Sequence, residues 1–270
     1  MPDYITVCEN AARAGGAVLL EKLGRVQFRE KGPADLVTEA DIEAQKTVSN
    51  VILASFPDHE IIGEETIPDL AAQNKSDFQW IIDPLDGTTN FVHEVPHFCV
   101  SVALKCGNDL LVGAVFNPIS NECYTAAAGC GAYLNGIPIR TSKVSQPSEA
   151  LCGVGFPPGV KGQSPDLRAF LNALPKCQAL RRTGSAALNL CYVAAGRFDA
   201  TWSFSTRIWD MAAGALIVHE AGGIVTLPRQ SFQPHHVGRW DFLDSGHYLA
   251  CSTEKLHKSI LELICNAAEQ

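Results

Sequence analysis

Trp80-Ile81-Ile82-Asp83-Pro84-Leu85-Asp86-Gly87-Thr88-Thr89-Asn90-Phe91 sets the reading of the whole chain. Its first three residues have strand character, and the run ends in a carboxylate, a proline, a second carboxylate, and a glycine followed by two hydroxyl residues. A buried strand over 80–82 would leave Asp83 at its C-terminal end, where a sheet gives way to a ligand-facing turn. Pro84 fixes φ and Gly87 permits a tight turn, so Asp83 and Asp86 can converge although they are separated in sequence. Two such carboxylates repel each other unless a proton or cation intervenes, and oxygen-only ligands suit a hard divalent ion such as Mg²⁺. Thr88 or Thr89 could cap a short helix whose free N–H groups point at an anion. The same composition also describes an ordinary turn. These residues alone therefore leave a metal-and-phosphate loop and a plain turn both open.

Other acids lie in places that local structure can explain. In Asp35-Leu36-Val37-Thr38-Glu39-Ala40-Asp41, Thr38 suits the N-cap of a helix reaching about Phe56, and Asp41 at N3 completes a variant capping box. Asp35 reads as a loop acid. Gly63-Glu64-Glu65 follows a short strand over 60–62 and reads as a solvated pair. Asp210 falls in the first turn of a helix over 208–221, where the helix N-terminus favours an acid. Gly184-Ser185-Ala186-Ala187 opens another helix, with Ser185 as a cap or a substrate contact. The apolar segments 98–104 and 110–116 form a predicted hairpin around Gly107-Asn108-Asp109, and strands over 122–127 and 137–140 extend an antiparallel sheet backed by helices. The polar stretch 142–149 marks a boundary between an N-terminal half, 1–145, and a C-terminal half, 146–270.

Taken together, the D-x-V-T segment at 35–38, GEE at 63–65, DPLDGTTN at 83–90, GSAA at 184–187 and WDMAAG at 209–214 resemble the motifs of the inositol monophosphatase family, in the same order and at similar intervals. These are Mg²⁺-dependent, lithium-sensitive sugar phosphatases. The resemblance implies an α+β fold, a layered αβαβα sandwich, in a homodimer. It implies two or three Mg²⁺ ions bound by Glu64, Asp83, Asp86, Asp210 and the carbonyl of Leu85, with Glu65 an acid next behind them. Phosphate would meet the N–H groups of Gly87 and Thr88. Asp35 and Thr88 would position the attacking water, and Asp86, Gly184, Ser185, Ala186 and Ser203 would line the substrate pocket. Asp41 would keep a structural role. Inositol-preferring members have an acid seven residues before the WD aspartate, whereas this chain has Ser203, a weaker partner for ring hydroxyls. Inositol 1-phosphate leads as substrate, with fructose 1,6-bisphosphate and histidinol phosphate as alternatives and a non-catalytic metal-binding interaction protein as the contrasting class. Arg207 offers a cation either for a second anionic group or for a surface salt bridge.

Composition sets outer limits. The 270 residues are 46% hydrophobic and 19% charged, as in globular proteins with a large core. A formal net charge of -8 argues against nonspecific nucleic-acid binding but leaves room for a phosphate ester whose charge bound cations offset. The ten cysteines are scattered, with no CxxC pair and no zinc-type spacing, and read as buried thiols. Without a signal-like segment or a long apolar run, the expected location is cytoplasmic and no membrane partner is expected. His235 and His236 read as surface residues.

Overall fold

The structure, a computed structural model, describes residues 3–25, 28–32, 35–65, 76–157, 159–228 and 240–265, and the side chains of all of these except 28–32 and 35–37. His235 and His236 lie outside the described residues.

The chain begins with helix α1 (Tyr4–Lys22), a hairpin of β1 (Phe28–Gly32) and β2 (Asp35–Thr38), and helix α2 (Glu39–Ser55). Asp35 thus opens a strand and not a loop. The capping box at Thr38 forms as the sequence predicts: Thr38 Oγ1 accepts from the Ala40 N–H at 3.1 Å, and Asp41 Oδ2 accepts from the Thr38 N–H at 2.8 Å. A seven-stranded sheet follows, in the order β3 (Glu60–Gly63), β4 (Phe78–Asp86), β5 (Cys99–Cys106), β6 (Asp109–Asn117), β7 (Glu122–Ala127), β8 (Ala132–Leu134) and β9 (Ile137–Ile139). Only β3 and β4 pair in parallel; the rest of the sheet is antiparallel. The short helix α3 (Thr88–Val92) lies between β4 and β5.

The C-terminal half builds a second, mixed sheet from β10 (Leu151–Val154), β11 (Ala179–Arg182), β12 (Ala200–Ser203), β13 (Ile224–Thr226) and β14 (Tyr248–Cys251), in the order β11-β10-β12-β14-β13. Its helices are α4 (Pro165–Ala173), α5 (Ala186–Ala194), α6 (Ile208–Glu220) and α7 (Glu254–Cys265). Strands β8 and β11 escaped the sequence reading because each is short and carries no clear alternation.

Residue alternation on β4 and β5 explains the layers. Trp80, Ile82, Val100, Val102 and Leu104 point into a core shared with α1 and α2, while Ile81, Cys99 and Ala103 point into a second core shared with α5 and α6. A strand buried on both faces reads as a continuous apolar run. The central core continues through Leu190 and Met211 to Tyr248 and Ala250 on the second sheet. On that sheet's far side, Val154, Ala200, Trp202 and Leu249 pack with Ala169 of α4 and Leu256 and Ile260 of α7. The result is the αβαβα sandwich that the motifs implied. Helix α6 is buried without interruption from Met211 to Val218 because it has a sheet on each side. No helix of the described residues is long and apolar enough to cross a membrane.

The central layer is tightly fitted at two glycines. A Cβ on Gly113 of β6 would lie 3.0 Å from Ala213 Cα and 3.1 Å from its carbonyl oxygen, and one on Gly214 would lie 2.6 Å from Leu190 Cβ. Gly113→Val is therefore expected to push β6 off α6 and lower stability by about 1–3 kcal/mol. Urea denaturation checks this, and an unchanged midpoint would show that α6 can shift without cost.

Candidate active site

The site begins with an irregularity in β4. Asp83 pairs opposite Ser101 and Asp86 opposite Cys99, so three steps along β4 match two along β5. One extra residue is inserted at Pro84-Leu85, a bulge where the missing proline donor is tolerated. Ser101 and Cys99 share a face of β5, and the bulge thus puts Asp83 and Asp86 on one face despite their odd spacing. That face looks toward α5 and α6: Ser101 Oγ donates to the Trp209 carbonyl at 3.2 Å. The Leu85 N–H donates to Asp83 Oδ1 at 3.0 Å.

Gly87 then turns the chain with φ 101°, and a Cβ there would meet the His97 carbonyl oxygen at 3.1 Å. Gly87, not Thr88 or Thr89, is the N-cap of α3, because the turn needs a positive φ that the threonines would adopt only under strain. Thr88 is left inside the first turn. Its Oγ1 lies 3.1 Å from the Leu85 carbonyl and 3.4 Å from Asp41 Oδ1. Asp41 is 1% exposed and uses its other oxygen for the α2 cap. The sequence reading missed this link, since Asp41 and Thr88 come together only through tertiary packing. Asp35 stands on β2 and its side chain lies outside the described residues.

The remaining acids arrive from three directions. Glu64 follows β3, and its N–H donates to the Ile82 carbonyl at 3.1 Å, which sets it beside the end of β4. Asp210 lies in the first turn of α6, where its Oδ2 accepts from the Arg207 N–H at 2.7 Å. Asp86 faces the start of α5, where Oδ2 accepts from Ser185 Oγ at 2.6 Å and from the Ala187 N–H at 2.7 Å. Glu64, Asp83, Leu85, Asp86, Gly87, Thr88 and Asp210 line one cavity of about 340 Å³, together with Gly184, Ser185, Ala186 and Ser203. Glu65 is half-buried beside Glu64.

Electrostatics give this cluster its character. Burial raises the Asp83 carboxyl well above the ordinary range, and the nearby Glu64, Asp86 and Asp210 charges raise it further. Burial lifts Asp86 as well, but the Ser185 hydroxyl and the N–H groups of Ala187 and Ala186 pull it back. Burial and then Asp86 push Asp210 up to about 7, while hydrogen bonds from the Arg207 N–H and with Asp83 oppose the rise. A hydrogen bond between two carboxyls requires a proton where a cation would otherwise stand. Among the described residues no three His, Cys, Asp or Glu side chains stand close enough together to hold a metal ion as they are placed. The donor set nonetheless fits a hard divalent ion, being all oxygen and held under mutual repulsion that a cation relieves.

Two further residues shape the cavity. Asn90 Nδ2 donates to the His97 carbonyl at 2.7 Å and to the Thr183 carbonyl at 2.9 Å, and Gly184, at φ 90°, has no room for a Cβ beside it. Arg207 is exposed at the α6 cap, whereas the basic residue lining the cavity is Arg182, with its guanidinium carbon 5.6 Å from the Phe156 ring centre. Asn90 closes the DPLDGTTN motif but has no role there in the sequence reading, and Arg182 carries no sequence signal beyond its neighbourhood to GSAA.

A five-layer sandwich with an acidic cleft between its sheets defines a metal-dependent phosphomonoesterase acting on small phosphate esters. The profile of the Inositol monophosphatase family matches residues 2–269, and the chain belongs to that family. It is 39% identical to a Pseudomonas aeruginosa protein named Nus factor SuhB, over 98% of this chain and 96% of that protein. It is 40% identical to an Aquifex aeolicus protein named fructose-1,6-bisphosphatase/inositol-1-monophosphatase, over 86% of this chain and 88% of that one. The crystal structure of the extragenic suppressor protein suhB from Bartonella henselae superposes with a TM-score of 0.85 at 34% identity, covering 96% of this chain and 97% of the other.

Because the Asp210 carboxyl is raised from its unfolded value of 3.8 to about 7, the folded protein holds a proton that the unfolded chain has lost between those values. In EDTA, stability should therefore fall as pH rises from about 4 to about 7, by up to about 1.4 kcal/mol per pH unit for one such group. Asp210→Asn should flatten that fall. Urea melts across this window provide the check, and a slope unchanged in the variant would place the titration elsewhere.

Proposed function

We propose that this protein hydrolyses inositol 1-phosphate or a closely related polyol or sugar phosphate, with Mg²⁺ held by Glu64, Asp83, Asp86, Asp210 and the Leu85 carbonyl. The observation that carries the proposal is the repulsion of Glu64, Asp86 and Asp210 on buried Asp83, within a cavity large enough for a small ester. Two or three Mg²⁺ ions would supply charge neutralisation of the phosphoryl group and a water acidic enough to attack it. The chain's own groups orient the reactants. The first N–H groups of α3 face the phosphoryl oxygens, and Thr88 with Asp41 holds the attacking water in line. The Thr88–Asp41 contact favours Asp41 for the role that the family resemblance gave to Asp35. Gly184, Ala186 and Ser203 bound the alcohol side of the cleft.

The relative from Aquifex aeolicus, whose name joins two activities, supports a choice between inositol 1-phosphate and fructose 1,6-bisphosphate. Ser203 replaces a charged acceptor with a hydroxyl that already accepts from the Ser205 N–H at 3.3 Å, which favours a substrate less dependent on ring-hydroxyl recognition. A cytoplasmic homodimer, built of halves 1–145 and 146–270, completes the proposal.

Phosphate release from inositol 1-phosphate, fructose 1,6-bisphosphate and histidinol phosphate, with and without Mg²⁺, tests it directly. Release from none of them in Mg²⁺ would favour a binding protein over an enzyme. Asp83→Asn should cut release at least ~100-fold, a loss typical of a major electrostatic contact. Asp41→Asn should lower kcat more than Asp35→Asn does, and the reverse order would return the water-positioning role to Asp35.

A further inference from the structure

Ser185 lines the cleft, yet its hydrogen bonds face away from a ligand. Its Oγ donates its single proton to Asp86 Oδ2 at 2.6 Å and accepts from the Leu188 N–H at 3.2 Å. The hydroxyl is therefore committed as a donor before any substrate arrives. The same Asp86 oxygen accepts from the Ala187 N–H at 2.7 Å, and Cys99 Sγ lies 3.9 Å from it. These donors converge on Oδ2, and the Ala186 N–H adds a further hydrogen bond to the same carboxylate. Ser185 itself is 2% exposed, so water does not compete for its proton.

We propose that Ser185 is a positioning residue for Asp86: it fixes the rotamer of that carboxylate, and through Asp86 it sets how well the cleft holds a divalent cation, rather than contacting the substrate. The proposal rests on the assignment of Asp86 as a metal ligand. It separates two duties of one hydroxyl, since capping α5 uses the lone pair and holding Asp86 uses the proton. Glycine is a tolerable cap without a hydroxyl, whereas threonine supplies both the cap and the donor.

The test is Mn²⁺ binding to the purified full-length protein, followed by electron paramagnetic resonance, beside steady-state phosphate release. Ser185→Ala and Ser185→Gly should both raise the Mn²⁺ dissociation constant about 10–100-fold, as losing a group that orients a metal ligand does. Ser185→Thr should restore it. In kinetics the alanine variant should need more Mg²⁺, with the loss falling on the metal requirement and not on KM for the ester at saturating Mg²⁺. Three results would overturn the proposal: wild-type Mn²⁺ affinity in Ser185→Ala with a raised KM, wild-type affinity in Ser185→Gly, or no Mn²⁺ binding by the wild type. Weakened Mn²⁺ binding in the variants of a wild type that binds Mn²⁺ but hydrolyses no ester would support the positioning role while removing the phosphatase assignment.

Discussion

Mutual repulsion among carboxylates gathered around buried Asp83 is the condition to which the rest of this molecule is fitted. A buried carboxylate is costly, and several pointing at one another cost more unless fixed positive charge or partial charge is close. The fold supplies partial charge from helix ends. The N-termini of α3, α5 and α6 all open on the cleft, through Thr88, through Ser185 and Ala186, and through Asp210. Aligned peptide dipoles give each end a modest positive potential and unsatisfied N–H donors. The same ends that make the acids tolerable also suit the anionic part of a phosphate ester.

This explains why the central helical layer belongs to both sheets. Helices α5 and α6 deliver Ser185 and Asp210 to acids presented by β4, and they do so from a layer with a sheet on each side. Close approach is needed for that delivery. Gly113 lets β6 touch the α6 backbone, and Gly214 lets Leu190 of α5 lie against α6. Small residues at these contacts therefore act on chemistry some distance away, by setting how far the helix ends reach toward the bulge.

Much of this was legible in the sequence. The apolar run before Asp83, the Thr38 cap and the hairpin at 107–109 are local patterns, and the structure has each of them. The layered sandwich followed from motif order. What could not be read was anything decided between distant segments. The preference for Gly87 over the threonines as cap depends on a positive φ and on the nearby His97 carbonyl, neither visible as a pattern. Asp41 looked complete as a capping residue, and only the packing of α3 near α2 shows its second oxygen meeting Thr88. Ser185 likewise looked like a cap or a substrate contact, because its attachment to Asp86 crosses from one half of the chain to the other. Strands β8 and β11 were too short to announce themselves. The bulge is an intermediate case: Pro84 hinted at a break in pairing, but only the register with β5 shows that it turns Asp86 to the same face as Asp83.

The amide of Asn90 joins the two walls of the cleft with a single group, bonded to the His97 carbonyl behind the Gly87 turn and to the Thr183 carbonyl ahead of α5. A hinge opening along that edge would strip the Thr183 carbonyl of its donor, while the bond to His97, on the same wall as Asn90, would persist. The edge of the cleft is therefore held by a bond between α3 and the turn that opens α5. An edge tied in this way sets the width of the cleft from both halves of the chain at once.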